Sequence, residues 1–265
     1  MSGVLAKIVA SKEAEVRALG EGTGRARHRA GPRGGVERAL RRGAGEPLRV
    51  IAEHKRKSPS AGPLSTALSP ADRALAYARG GAAMISVLCD APFFDGSWEQ
   101  LLAIRDALDV AGLTTPLLAK EFVIAREQIV EAEACGADAV LVIARILDAT
   151  RVAALCRAAR ELGLEPVVEV ITDEELGWAL DAGAVTIGVN ARDLDTLVMD
   201  ADRAARVLDA IPARCIPLYL SGLKGPDDVR RVAATKAHAA LVGETLMRED
   251  DPTPLLASMI AASKR

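Results

Sequence analysis

The sequence predicts a (β/α)8 barrel with an N-terminal helical extension, and three observations carry that expectation. From Leu48 onward, eight short apolar runs alternate with amphipathic helical stretches, as in a parallel sheet joined by crossover helices. No GxGxxG or GxxxxGK[ST] glycine pattern follows the first run, although an open doubly wound sheet usually carries such a nucleotide fingerprint there. A chain of 265 residues with 50% hydrophobic content is long enough for one large core and short for two domains.

Taken in order, the predicted strands are Leu48–Lys55, Met84–Leu88, Pro116–Phe122, Ala139–Ile143, Pro166–Val170, Thr186–Asn190, Ile216–Ser221 and Ala239–Gly243. Between them lie helical patterns such as Pro70–Arg79, Arg126–Cys135, Thr150–Leu162, Asp173–Ala182 and Pro226–Ala234. Gly136 and Gly183 stand where a left-handed residue ends a helix and returns the chain to the next strand. Residues 1–47 lie outside this rhythm and 48–265 form the barrel. Val4 to Leu19 reads as an amphipathic helix, followed by a glycine-rich stretch containing Arg25, Arg27, Arg29, Arg33, Arg38, Arg41 and Arg42. A basic stretch can bind nucleic acid, but this one lacks interleaved aromatic residues. It is therefore read as a cap over one end of the barrel, with some arginines facing the approach path of an anionic substrate.

The formal net charge of −2 gives no global field to hold the chain on nucleic acid or an anionic membrane. No apolar run reaches the roughly 20 residues of a membrane span, and Met1 to Leu19 mixes charged and apolar residues, unlike a signal peptide. The expectation is a cytoplasmic protein, favoured as a monomer, with no nucleic-acid or membrane partner. Cys89, Cys135, Cys156 and Cys215 are scattered in apolar surroundings without a CxxC pair, so they read as small buried hydrophobes and not as metal ligands or disulfides.

In such barrels the active site sits at the carboxyl ends of the strands, so polar residues that interrupt an apolar strand there are the candidates. Period-two alternation puts Glu53 and Lys55 on one face of the first strand and His54 and Arg56 on the other. The third strand ends with Lys120, the fifth contributes Glu169, the sixth Asn190 and Arg192, and the seventh Ser221. Burying several ionisable groups costs several kcal/mol per unpaired ion, roughly, so a convergent set is improbable as filler. Lysines desolvated in a barrel mouth have lowered pKa values and can donate protons near neutral pH. Two lysines with two carboxylates suit general acid-base chemistry at a carbonyl or hydroxyl carbon. Gly222 after the seventh strand, with Gly243 and Glu244 after the eighth, offers backbone N–H groups and a helix start to a phosphate, and Ser58 in the first loop adds a hydroxyl donor.

These residues lie in ordered blocks. They are Val50-Ile-Ala-Glu-His-Lys-Arg-Lys-Ser-Pro-Ser60, Ile85-Ser-Val-Leu88 with Phe93-Phe94-Asp95-Gly96-Ser97, Ala119-Lys-Glu-Phe122 and Gly136-Ala-Asp-Ala-Val-Leu141. The series continues with Val168-Glu-Val170, Ile187-Gly-Val-Asn-Ala-Arg-Asp-Leu194, Ser221-Gly222 and Val242-Gly-Glu-Thr-Leu-Met247. In this order and over nearly the whole chain, they resemble the indole-3-glycerol-phosphate synthase family. The resemblance implies a (β/α)8 enzyme of tryptophan biosynthesis that acts on a phosphorylated small molecule without cofactor or metal. A carboxyphenylamino-deoxyribulose phosphate condenses onto its own carbonyl, loses carbon dioxide and then loses water. Carried over from the family, Lys120 is the general acid on the carbonyl oxygen, and Lys55 lies near the substrate carboxylate and the departing hydroxyl. Glu53 and Glu169 are the base and the stabiliser of positive charge in either assignment, and Asn190 and Ser221 orient hydroxyls. Phe94, Phe122, Leu141 and Leu194 stand at the matching positions for gripping an aromatic ring, and the two phenylalanines are read as lying at strand ends.

The chain departs from the family pattern in places. Tyr219-Leu220-Ser221-Gly222 replaces the usual Ser-Glu-Ser-Gly, so Leu220 stands for a carboxylate. Glu121 replaces an aspartate, Ala191 a polar residue and Ala61 a common lysine. Two other readings follow: another phosphosugar barrel, such as phosphoribosylanthranilate isomerase or a tryptophan-synthase α-like lyase, or a barrel kept as a catalytically impaired scaffold. The Glu53/Lys55 pair together with Lys120 suits decarboxylative closure better than isomerisation.

Overall fold

The structure is a computed structural model describing residues 3–20, 35–58 and 62–264. Eight parallel strands close into a barrel: β1 (Arg49–His54), β2 (Met84–Leu88), β3 (Leu117–Lys120), β4 (Ala139–Ile143), β5 (Glu165–Val170), β6 (Thr186–Asn190), β7 (Ile216–Leu220) and β8 (Ala239–Val242). Each strand pairs with its sequence neighbours, and β8 closes onto β1 with Arg49 opposite Ala239 and Ala52 opposite Val242. Every expected strand is present. Lys55, Phe122, Ser221 and Gly243 fall just beyond strand ends, because at the mouth the chain leaves the sheet to enter its loops.

Alternation along the strands divides the apolar residues into two separate clusters. Ile51, Met84, Leu118, Leu141, Val167, Ile216, Leu218 and Leu241 face the barrel interior. Val50, Ile85, Val87, Ala119, Val140, Val168, Ile187 and Val242 face outward to the helices. Carried one or two residues further, the inward register places Glu53, Lys120, Glu169, Asn190 and Leu220 in the top layer.

The outer ring begins where side chains cap helix N-termini. Ser69 caps α3 (Pro70–Arg79), Asp90 caps the short α4 (Ala91–Phe94) and Ser97 caps α5 (Trp98–Val110). Asp148 caps α7 (Ala149–Glu161), Thr172 caps α8 (Asp173–Asp181) and Asp200 caps α9 (Ala201–Ala210). Three more helices, α6 (Arg126–Ala134), α10 (Pro226–Ala233) and α12 (Thr253–Ala262), complete the ring, and the four-residue α11 (Glu244–Met247) follows β8. Gly136 (φ 83°) and Gly183 (φ 69°) are left-handed after α6 and α8, as their sequence positions require.

The extension supplies α1 (Val4–Gly20) and α2 (Val36–Leu40), which lie at opposite ends. From α1, Leu5 and Ile8 reach the cavity at the carboxyl ends of the strands. The segment after α2 is tied to the other end: Arg41 donates to the Arg214 carbonyl, and Arg42 donates to the carbonyls of Ala233 and Thr235, just ahead of β7 and β8. Arg41 and Arg42 are therefore not among the arginines that could face the cavity mouth, and Arg38 lines a small cleft with Leu48 and Arg49 at that same far end. Charge alone carries no information about which end of a barrel a segment reaches. Arg25, Arg27, Arg29 and Arg33 lie outside the described residues. No helix among the described residues is long and apolar enough to cross a membrane.

On the outer face of β1, His54 is buried and its Nε2 lies 3.1 Å from Gln100 Oε1. The Gln100 amide nitrogen donates to the Asp95 carbonyl, so its oxygen faces His54 and the ring donates through Nε2–H. Burial, only partly opposed by Gln100, lowers the His54 pKa to about 4. The unfolded chain binds this proton near pH 6.5, so the His54 contribution to stability is complete above that pH and is lost as pH falls towards 4. His54→Gln is expected to flatten the acid limb of urea-midpoint against pH in this window, an effect on the order of 2–3 kcal/mol in the wild type. An unchanged limb would remove His54 as its source.

Candidate active site

A cavity of about 490 Å³ opens at the carboxyl ends of the strands, and every residue named from sequence as catalytic or substrate-binding lines it. Two lysine–glutamate pairs face it from different strands. Lys55 Nζ lies 2.6 Å from Glu53 Oε1, and Lys120 Nζ lies 3.3 Å from Glu169 Oε2. Both glutamates are buried while the lysines are 14% and 19% exposed, so the carboxylates sit deep and the ammonium groups sit at the cavity surface. Glu169 is held from a second side, where Asn190 Nδ2 donates to its Oε1 at 2.8 Å. Asn190 is in turn fixed: its side-chain oxygen accepts from Arg192 N, and its carbonyl accepts from Arg203. Neither lysine stands alone, and each ammonium group has a carboxylate beside it.

The opposite rim gathers the loops after β7 and β8. Ser221 (φ 74°) and Gly222 (φ 84°) are consecutive left-handed residues. That conformation costs a serine roughly 1–3 kcal/mol, and such strain concentrates at ligand sites. Gly243 follows β8 with an ordinary φ of −119°, so its need for glycine is spatial. A Cβ there would overlap Glu53 Oε1 and come within 3.1 Å of Lys55 Nζ. Glu244, a carboxylate at a rim expected to take phosphate, pairs with Arg248 at 2.7 Å. Lys224 and Thr245 join this rim. Ser58 is buried at the end of the first loop and also lines the cavity.

The remaining wall is apolar. Phe94 and Phe122 have ring centroids 6.0 Å apart at an interplanar angle of 37°, with Leu141 and Leu194 beside them on the cavity wall. Phe94 sits on the short helix α4 instead of at a strand end, and reaches the cavity from there. Leu220 is buried and projects from β7 across to Gly188, where a Cβ would lie 2.6 Å from Leu220 Cδ1. The position of the missing carboxylate is therefore filled by packed hydrocarbon.

Sequence reasoning missed Leu5, Ile8 and Lys12, and noted Glu121 only as a replacement for aspartate, without a role. Leu5 and Ile8 roof the cavity. Lys12, on the same helix, is wholly buried with its Nζ 2.7 Å from Asp90 Oδ1 and 3.0 Å from Glu121 Oε1. A signal was present: positions 5, 8 and 12 share one helical face, and a lysine on the apolar stripe of an amphipathic helix marks a buried ion pair. Burial, which alone would discharge Lys12, is outweighed by Glu121, Asp90 and Glu15, so its pKa is raised. Burial pushes the Glu121 carboxyl up to about 7 against the pull of Lys12.

The fold and this cavity define a (β/α)8-barrel protein with a candidate site at the carboxyl ends of its strands. Solved structures share that architecture at low identity: 3-hexulose-6-phosphate synthase from Salmonella typhimurium matches with a TM-score of 0.63 and 17% identity, covering 81% of this chain and 98% of that one. Thiamine phosphate pyrophosphorylase from Pyrococcus furiosus matches at 0.60 and 15%, covering 83% and 97%. The sequence narrows the class. The family model for indole-3-glycerol phosphate synthase matches residues 5–259, and the chain belongs to this family. Among curated relatives of that name, the protein of a Nocardioides species is 46% identical over 77% of this chain and 76% of its own. That of Kineococcus radiotolerans is 45% identical over 81% and 77%.

Replacing Gly243 by alanine should drive the Glu53–Lys55 pair from its position. The expected result is a loss in kcat/KM on the order of 100-fold, read by steady-state kinetics. Full activity in that variant would show that the pair tolerates displacement.

Proposed function

We propose that this chain closes the indole ring of its family's product, converting a carboxyphenylamino-deoxyribulose phosphate to indole glycerol phosphate with loss of carbon dioxide and water. The observation that carries this reading is the convergence of two lysine–glutamate pairs on one cavity, with an aromatic wall on one side and the β7 and β8 loops on the other. The substrate's ring lies against Phe94, Phe122, Leu141 and Leu194. Its phosphate lies at Gly222, Gly243 and the start of α11, with Ser58 and Arg192 adding donors.

In the first step, the ring carbon bearing the carboxylate attacks the ketone carbon, and Lys120 delivers a proton to the oxygen that becomes a hydroxyl. A positive donor fixed beside a developing alkoxide in a water-poor site stabilises it strongly. The bond to the carboxylate then breaks, carbon dioxide departs, and its electron pair restores the aromatic ring. Lys55 lies near that carboxylate and supplies the proton with which the hydroxyl leaves as water. Of Glu53 and Glu169, one removes the final proton and the other stabilises positive charge on the ring nitrogen. Asn190 and Ser221 orient the substrate hydroxyls.

Leu220 favours a second reading, a barrel that binds the substrate without turning it over, because packed hydrocarbon stands where the family carries a carboxylate. One assay separates the two. Purified protein given the substrate, with no added metal, is expected to develop indole fluorescence, and Lys120→Ala is expected to lower the rate by about 10²–10⁴-fold. Binding without product, restored to turnover by Leu220→Glu, would establish the scaffold reading. Undiminished activity in Lys120→Ala would sink the acid role.

A further inference from the structure

Lys12 lies outside the reacting groups, but its bonds lead directly to the aromatic wall. Asp90 divides its two oxygens: Oδ1 takes the Lys12 ammonium at 2.7 Å, while Oδ2 accepts the backbone N–H groups of Phe93 and Phe94 at 2.8 and 3.1 Å. Glu121 Oε1 takes Lys12 at 3.0 Å and also accepts the N–H of Phe122 at 2.7 Å. One buried cation thus holds two carboxylates, and each carboxylate fixes the backbone of one member of the Phe94–Phe122 pair. Glu15, partly exposed, completes the ring of acceptors at 2.8 Å. One and two turns earlier on the same helical face, Ile8 and Leu5 are buried over the cavity. The same anchor therefore sets both the roof and the aromatic wall.

We propose that Lys12 is a positioning residue for the aromatic end of the substrate, bridging Asp90 and Glu121 so that the Phe94–Phe122 pair and the Leu5–Ile8 roof close on the substrate ring. This inference rests on the reaction assigned above, in which that wall receives the ring. Removing the cation leaves two buried carboxylates without a counter-charge, which the structure relieves by letting α1 lift or α4 shift. Either movement opens the ring-binding wall and leaves the β7 and β8 loops, on the other side of the cavity, in place. A residue acting only on the overall stability of the barrel would weaken all ligands alike.

The experiment uses the full chain and two ligands that differ in the ring: the reduced, non-cyclising analogue of the substrate, and ribulose 5-phosphate, which lacks the aromatic group. In Lys12→Met, affinity for the analogue is expected to fall roughly tenfold while affinity for ribulose 5-phosphate stays within about twofold. Lys12→Arg, which keeps the charge, should recover most of the loss. Equal weakening of both ligands, or no weakening of either, overturns the inference. Should Lys12→Met fail to fold, Asp90→Asn takes its place in the same two titrations, with selective loss of the analogue again expected and equal or absent weakening again overturning the inference. That substitution preserves the shape of the α4 cap while removing its charge. Failure of the wild-type chain to bind the analogue would overturn the reaction assignment and this inference together, whereas wild-type binding with no selective loss in the variant overturns the inference alone.

Discussion

Closure of eight parallel strands leaves each strand one inward face, and the period of two residues decides what stands on it. In the lower layers that face is Ile51, Leu118, Leu141, Val167 and Leu218, an apolar plug that excludes water from the barrel centre. In the top layer the same register delivers Glu53, Lys120, Glu169 and Asn190. Shifting any of these strands by one residue would exchange its polar group for an outward-facing hydrophobe. The site is thus a boundary condition of the packing, set by the register of the hydrogen-bonded ring below it.

On that platform the charges are arranged in depth. Glu53 and Glu169 are buried, and each is compensated by a lysine that stays in contact with the cavity. Pairing lets the carboxylates remain in a dry environment that would otherwise expel them. Asn190 and the backbone of Arg192 extend the network outward from Glu169. Donors held this way need little reorganisation when charge moves during a reaction. Leu220 interrupts the polar layer on the β7 side, dividing the cavity floor between ionic and hydrocarbon contacts.

The strands and the polar top layer are legible in the sequence because both follow a short-range rule. Glu53 and Lys55 stand out from an apolar run two residues apart, Lys120 and Asn190 each close an apolar run, and Glu169 interrupts one. The ordered motifs then place the phenylalanines and the glycine loops. What escapes reading depends on long-range partners. Lys12 looks like one more solvated lysine until Asp90 and Glu121 are brought beneath it. Arg41 and Arg42 look like recruits for an anionic ligand until their carbonyl acceptors are found at the far end of the barrel. Phe94 reads as a strand-end residue, although the Asp90 cap turns that stretch into a short helix.

The buried position of Lys12 also bears on how the chain is made. Synthesis proceeds from the amino terminus, so α1 leaves the ribosome ahead of every strand. Its ionic partners follow later, Asp90 after the second barrel strand and Glu121 after the third. A segment translated before every strand therefore finds its ionic partners only after the third, and until then its apolar stripe and lysine lack the contacts that bury them. A nascent segment of this kind is a natural client for chaperones, and barrel assembly has to reach its third strand before that exposure ends.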